Sequence, residues 1–184
     1  ILLSSQIMEG DEKPSKEDLA RVSRAARYAK GLIAGALSIV RGQEYVLERT
    51  GLKETIEGAA VLTDYSARKK SAAVELDIPD GLPQVMMSRV HIERVFINAV
   101  SNSLSFVPEG GKVRITAYAS EDGVTAEITD NGPGFPEKIL AEGVKAFGTT
   151  RKEKGGTGLG LFVCDQIARR HGGSLKLDNA PGGG

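Results

Sequence analysis

The chain has 184 residues, 40% of them hydrophobic, enough for one sizeable core with a small appended element. Lys and Arg total 24 and Asp and Glu total 24, so no net field draws the protein toward nucleic acid or an anionic membrane. A single cysteine, Cys164, excludes an internal disulfide framework and a cysteine-rich metal site and fits a reducing compartment, and no apolar run has membrane-spanning length.

The chain opens on Ile1-Leu2-Leu3 without a methionine and closes on Gly182-Gly183-Gly184, as expected of a piece of something longer. Residues Ile1 to Met8 read as the tail of a helix, ended by the breaker cluster Gly10-Asp11-Glu12-Lys13-Pro14. Ser15 then offers an N-cap before Lys16-Glu17-Asp18, whose acids suit the first turn of a helix. Leu19, Val22, Ala26, Ala29, Ile33, Ala36, Leu37 and Val40 recur at three- and four-residue spacing, one apolar stripe on a long helix. The short segment before it covers only part of that stripe. A helical hairpin completed by upstream residues or by a second chain would supply the rest; the pattern alone also allows an ordinary packed helix inside one globule.

A second amphipathic helix is expected from Leu52 to Arg68, with Ile56, Ala59, Ala60, Leu62 and Tyr65 inward. Ala73 to Ile78 alternates as a strand, and Pro79-Asp80-Gly81-Leu82-Pro83 turns the chain. Ser88 to Phe106 returns to helical spacing, followed by the tight loop Pro108-Glu109-Gly110-Gly111. Strands Lys112 to Ala119 and Val124 to Thr129 form a hairpin through Ser120-Glu121-Asp122-Gly123. Leu159 to His171 reads as a helix stopped by Gly172-Gly173, and Ser174 to Leu177 as a last strand. The fold class is α+β: a two-layer α/β sandwich, a mixed sheet covered by helices on one face, preceded by the helical hairpin.

Three places carry chemistry. Asn98 and Asn102 lie one turn apart on a single helix face, and a carboxamide there can offer oxygen to a hard cation or a hydrogen bond to phosphate. Asp130, at a strand end before Asn131-Gly132-Pro133-Gly134, can receive an exocyclic amino group such as that of adenine; Asp-Asn-Gly is also ordinary turn chemistry. Gly156-Thr157-Gly158-Leu159-Gly160 runs into a helix, where free backbone N–H groups and the dipole favour phosphate. No Gly-Lys-Ser/Thr follows it and no strand directly precedes it, so neither the Walker loop nor the dinucleotide fingerprint applies. Between the two glycine clusters, Phe147, Thr149, Thr150, Arg151, Lys152 and Lys154 read as a polar lid. Cys164, among Leu161, Phe162, Val163 and Ile167, is expected to be buried. His91 and His171 begin and end helices and are expected to be structural, a cationic ring at His171 suiting the dipole.

Together these signals resemble the ATP-binding domain of sensor histidine kinases, in the superfamily shared with gyrase, Hsp90 and MutL, whose Bergerat-type fold is a two-layer sandwich. Asn98 to Gly111 resembles the N box, Asp130 to Phe135 the G1 box, Phe147 to Arg151 the F box and Gly156 to Leu161 the G2 box. The resemblance implies that Asn102 coordinates Mg²⁺, Asn98 assists at the phosphates, Asp130 binds the adenine amino group and Gly132 and Gly134 shape the base pocket. Gly156, Thr157, Gly158, Leu159 and Gly160 then cradle the phosphates of ATP beneath the lid formed by Phe147, Thr149, Thr150 and Arg151. Ser105 stands where many members carry Lys or Arg, and Ser88 where an acid is frequent.

The resemblance further implies residues 1–48 as part of a dimerisation and phosphotransfer hairpin and 49–184 as the catalytic domain. It implies a homodimer through that hairpin, a response-regulator receiver domain as partner, a cytoplasmic location, and γ-phosphate transfer from ATP to a histidine and on to an aspartate. The accepting histidine is expected upstream of Ile1, so the chain is expected to bind ATP without phosphorylating itself. Two other readings are a serine kinase of the anti-sigma-factor type, against which the N-terminal hairpin argues, and a non-catalytic dimeric scaffold, which Ser105 favours.

Overall fold

A computed structural model describes residues 45–146, 148 and 158–180. The expected hairpin over residues 1–48, with Ile1 to Met8 and the stripe from Leu19 to Val40, lies outside the described residues up to residue 44. In chain order the elements are strand β1 (Glu48–Thr50), helix α1 (Leu52–Lys69), strands β2 (Ala73–Asp77) and β3 (Val85–Met87), helix α2 (Arg89–Phe106), strands β4 (Lys112–Ser120) and β5 (Gly123–Asp130), and helices α3 (Glu137–Glu142) and α4 (Gly160–Arg170). No described helix is long and apolar enough to cross a membrane.

The main sheet has the order β2-β4-β5, with β2 parallel and β5 antiparallel to the central strand. Period-two alternation on β4 turns Val113, Ile115 and Ala117 inward, all essentially inaccessible. Onto this face pack Ile56 and Ala59 of α1 and Phe96, Val100 and Leu104 of α2, with Val124, Ala126 and Ile128 of β5 at the margin. Each fully buried Val or Ile contributes roughly 1.5–3 kcal/mol relative to an exposed one, so this layer decides which face the sheet buries. The opposite face is polar. Arg114 lies opposite Glu75 in the parallel register and bonds it at 3.1 Å, and the Tyr118 hydroxyl donates to Glu127 at 2.7 Å. Helices on one side and ion pairs on the other make the two-layer sandwich.

Helix α1 departs from its expected face. Leu62 and Tyr65 are 63% and 79% exposed, whereas Thr55 and Thr63 are buried. The threonines satisfy themselves within the helix: Thr55 Oγ1 donates to the Gly51 carbonyl at 3.0 Å and Thr63 Oγ1 to Ala59 at 3.1 Å. With no polar group left wanting, each presents its methyl to the core, and the buried stripe rotates accordingly. The expected strand at Ser174 to Leu177 is also absent, since residues 174–180 have no regular structure and no ladder to β5. Leu175 and Leu177 keep the alternation as half-buried positions, but a strand requires backbone partners as well as pattern. Strands β1 and β3, three residues each, pair antiparallel with Arg49 opposite Met86 and are too short for alternation to announce.

The end of α1 bears directly on α2. Lys70 Nζ donates to the carbonyls of Val107 at 2.7 Å and Ser105 at 3.3 Å, placing a cation at the negative end of the α2 dipole. This fixes the C-terminus of the helix that carries both asparagines.

Candidate functional site

Helix α2 carries Asn98 and Asn102 four residues apart, both half-buried beside the fully inaccessible Val100. Helix α4 packs against it. The Cys164 thiol donates to the Val95 carbonyl at 3.6 Å, and burial pushes this thiol up to about 12, opposed by a hydrogen bond with the Asn98 amide and by the charge of Arg94. Cys164 therefore remains a protonated thiol in the core, as expected. Asn98 reaches α4 one turn after Gly160, the first residue of that helix.

Asp130 is the last residue of β5, half-buried. Its Oδ1 accepts from the Gly132 N–H at 2.9 Å, closing an Asx turn that aims the carboxylate along the loop. Asn131 ties the same turn to β4, with Oδ1 accepting from the Lys112 N–H at 2.8 Å and its own N–H donating to the Lys112 carbonyl at 3.2 Å. At Gly132 a Cβ would lie 2.7 Å from Asp130 Oδ1 and 3.4 Å from the Phe106 carbonyl carbon, so the loop runs hard against the end of α2. The Asp130 loop, the asparagine helix and the start of α4 therefore come together through α2.

On the phosphate side, Gly158 has φ +66°, Leu159 is buried, and a Cβ on Gly160 would meet nothing within 4 Å. Gly160, the first residue of α4, is exposed, with no described atom beside its Cα on the Cβ side. Phe147, Thr149, Thr150, Arg151, Gly156 and Thr157 lie outside the described residues.

The donor set is compatible with a purine nucleotide: a carboxylate able to accept from an amino group, a tightly held glycine loop beside it, and an exposed glycine at a helix start. Among the described residues no group of three or more His, Cys, Asp or Glu is placed to hold a metal ion.

The family model for the histidine kinase-, DNA gyrase B-, and HSP90-like ATPase matches residues 87–184, from the end of β3 through α4 and beyond. The chain belongs to this ATPase family. It is 30% identical to the sensor histidine kinase TmoS of Ectopseudomonas mendocina, covering 95% of this chain and 19% of that protein. It is 33% identical to the C4-dicarboxylate transport sensor protein DctB of Pseudomonas aeruginosa, covering 92% of this chain and 28% of that protein. The catalytic domain of the histidine kinase ThkA superposes with a TM-score of 0.67 at 29% identity, over 74% of this chain and 90% of that one. The matched domain is thus a histidine kinase catalytic ATP-binding domain, and the chain spans less than a third of the length of either curated relative.

Three features of this ATPase domain give little sign in the sequence. Asp165 of α4 is 6% exposed and paired with Arg169 Nε at 2.8 Å; its only signal is i, i+4 spacing of opposite charges. Asn179, far along the chain, hydrogen-bonds both backbone groups of Phe135, and no local pattern announces it. His171 donates from Nδ1 to the Ile167 carbonyl at 2.7 Å and accepts at Nε2 from the Ser88 N–H at 3.0 Å. In that pairing Nε2 meets a backbone N–H and serves as the acceptor.

Proposed function

We propose that this chain binds Mg²⁺-ATP and serves as the catalytic domain of a two-component sensor histidine kinase. Asp130, at the end of β5 on a loop packed against the asparagine helix, is the observation that carries this reading. In it the Asp130 carboxylate accepts a hydrogen bond from the adenine amino group, and Gly132 and Gly134 shape the base pocket. Asn98 and the backbone N–H groups from Gly156 to Gly160, those of Thr157 and Leu159 included, face the phosphates.

 The carboxamide oxygen of Asn102 is a ligand for Mg²⁺, which when bound neutralises developing phosphate charge, and Phe147, Thr149, Thr150 and Arg151 belong to a lid over the nucleotide. The protein's own share is positioning and electrostatics, the terms that dominate phosphoryl transfer.

In the whole protein, the γ-phosphate passes to a histidine and then to an aspartate of a response-regulator receiver domain. ThkA has been solved in complex with the response regulator protein TrrA, and that kind of partner is carried over here. Residues 1–48 form part of a dimerising helical hairpin, residues 49–184 the catalytic domain, and the assembly works in the cytoplasm. Calorimetric titration of the chain with Mg²⁺-ATP tests the site. Asn102→Ala and Asp130→Ala are each expected to weaken binding by about tenfold or more, the loss of one charge-assisted or metal contact. Affinity unchanged in both variants defeats the reading.

A further inference from the structure

The loop after β5 is held at two points. At its start, Asp130 Oδ1 accepts from the Gly132 N–H. At its end, the Asn179 side chain bonds both backbone groups of Phe135: Oδ1 accepts from the Phe135 N–H at 2.7 Å, and Nδ2 donates to the Phe135 carbonyl at 2.9 Å. One carboxamide thus does what a neighbouring strand would do, exchanging a donor and an acceptor with a single residue. Its orientation is fixed by those partners, since a flipped amide would set N–H against N–H and oxygen against oxygen. The Asn179 backbone is held in turn, its N–H donating to Asp178 Oδ1 at 2.8 Å.

Gly134 lies inside this clamp. It has φ +73°, and a Cβ there would stand 2.8 Å from Asn179 Oδ1. The segment from residue 174 to 180, which forms no ladder with β5, therefore reaches the loop through one side chain.

We propose that Asn179 is a positioning residue for purine recognition, holding the Gly132-Pro133-Gly134-Phe135 backbone in the shape that the base requires. The inference rests on the reading of Asp130 as the adenine ligand. Without the clamp, the loop must be ordered when nucleotide binds, and that ordering is subtracted from affinity for the base. The phosphate side, formed around α4, is left alone.

The test uses the chain with Asn179→Ala and Asn179→Asp, the latter keeping the acceptor and the shape but replacing the donor by a second oxygen. Binding of Mg²⁺-ATP, Mg²⁺-GTP and Mg²⁺-tripolyphosphate is measured, with hydrogen exchange at the Phe135 amide and thermal unfolding of the free chain. Both variants are expected to lose ATP affinity by about tenfold, the equivalent of roughly one net hydrogen bond. Discrimination of ATP over GTP is expected to narrow, tripolyphosphate affinity to stay at the parent value, and Phe135 exchange to accelerate. A parallel loss for ATP and tripolyphosphate indicates a merely structural role and overturns the proposal. So does parent-like ATP affinity and discrimination in a folded Asn179→Asp chain. If the parent chain itself binds no ATP, or binds it indifferently to Asp130→Ala, the underlying reading fails, an outcome distinct from failure of the clamp.

Discussion

Among the described glycines, Gly132 and Gly134 on one side and Gly160 on the other are small for opposite reasons. Around Gly132 and Gly134 the chain is crowded, each position being within 3 Å of a side-chain oxygen once a Cβ is imagined, and the loop is tied down by Asp130, Asn131 and Asn179. At Gly160 a Cβ meets nothing within 4 Å, and α4 is held from its far end, where His171 bridges to the start of α2. The first cluster is a fitted wall; the second is bare backbone exposed at a helix start. A recognition surface for a flat, patterned base needs the former, and a set of N–H groups for a charged, rotating phosphate needs the latter.

Substitution of one residue in each cluster separates the two cases. Gly134→Ala, which forces a Cβ into a left-handed conformation against Asn179, is expected to lose about 1–3 kcal/mol of stability as well as ATP affinity, checked by urea unfolding and titration. Lys70→Met comes next. Removing the cation from the carbonyls of Val107 and Ser105 is expected to lower stability by about 0.5–1 kcal/mol through the α2 end that abuts Gly132, with the same unfolding assay as readout. Gly160→Ala is expected to move the two readouts apart. A better helix former raises stability by a few tenths of a kcal/mol, while the added methyl weakens binding of both ATP and tripolyphosphate.

The smallest effect concerns the anchored end of α4. Burial first, then the neighbouring His171, Arg94 and Arg170, hold the His91 imidazole below its usual range. The unfolded chain therefore takes up a proton at this position before the folded one does. Stability contributed here is complete above a pH of about 6.5 and declines as pH falls toward the folded value. His91→Gln is expected to flatten that decline between pH 7 and 5.5, measured as the shift in urea midpoint, without changing ATP affinity at pH 7.

Much of this was legible before any coordinates. Helix α2 and the hairpin of β4 and β5 have long, regular patterns bounded by Gly and Pro, and they lie within one or two residues of their expected limits. The Asp130 loop and the α4 start were legible because they announce themselves locally, by glycine at a strand end and glycine before an amphipathic run. Two kinds of feature were not. The inward face of α1 depends on whether Thr55 and Thr63 can satisfy their own hydroxyls, which hydropathy does not register. The clamp from Asn179 to Phe135 joins positions with no shared periodicity, so only the folded chain brings them together. The same limit applies to Ser174 to Leu177, where alternation is present and the neighbouring backbone is not.

Tyr45 sits where the ends of two helices meet. Its ring lies 4.1 Å from that of His91 and edge-on to that of His171 at 5.2 Å, with the Arg170 guanidinium 5.3 Å from its centre. His91 belongs to the first turn of α2, and His171 caps the end of α4. One ring in contact with both thus ties the start of the asparagine helix to the end of α4, so a change at Tyr45 bears on two helices at once.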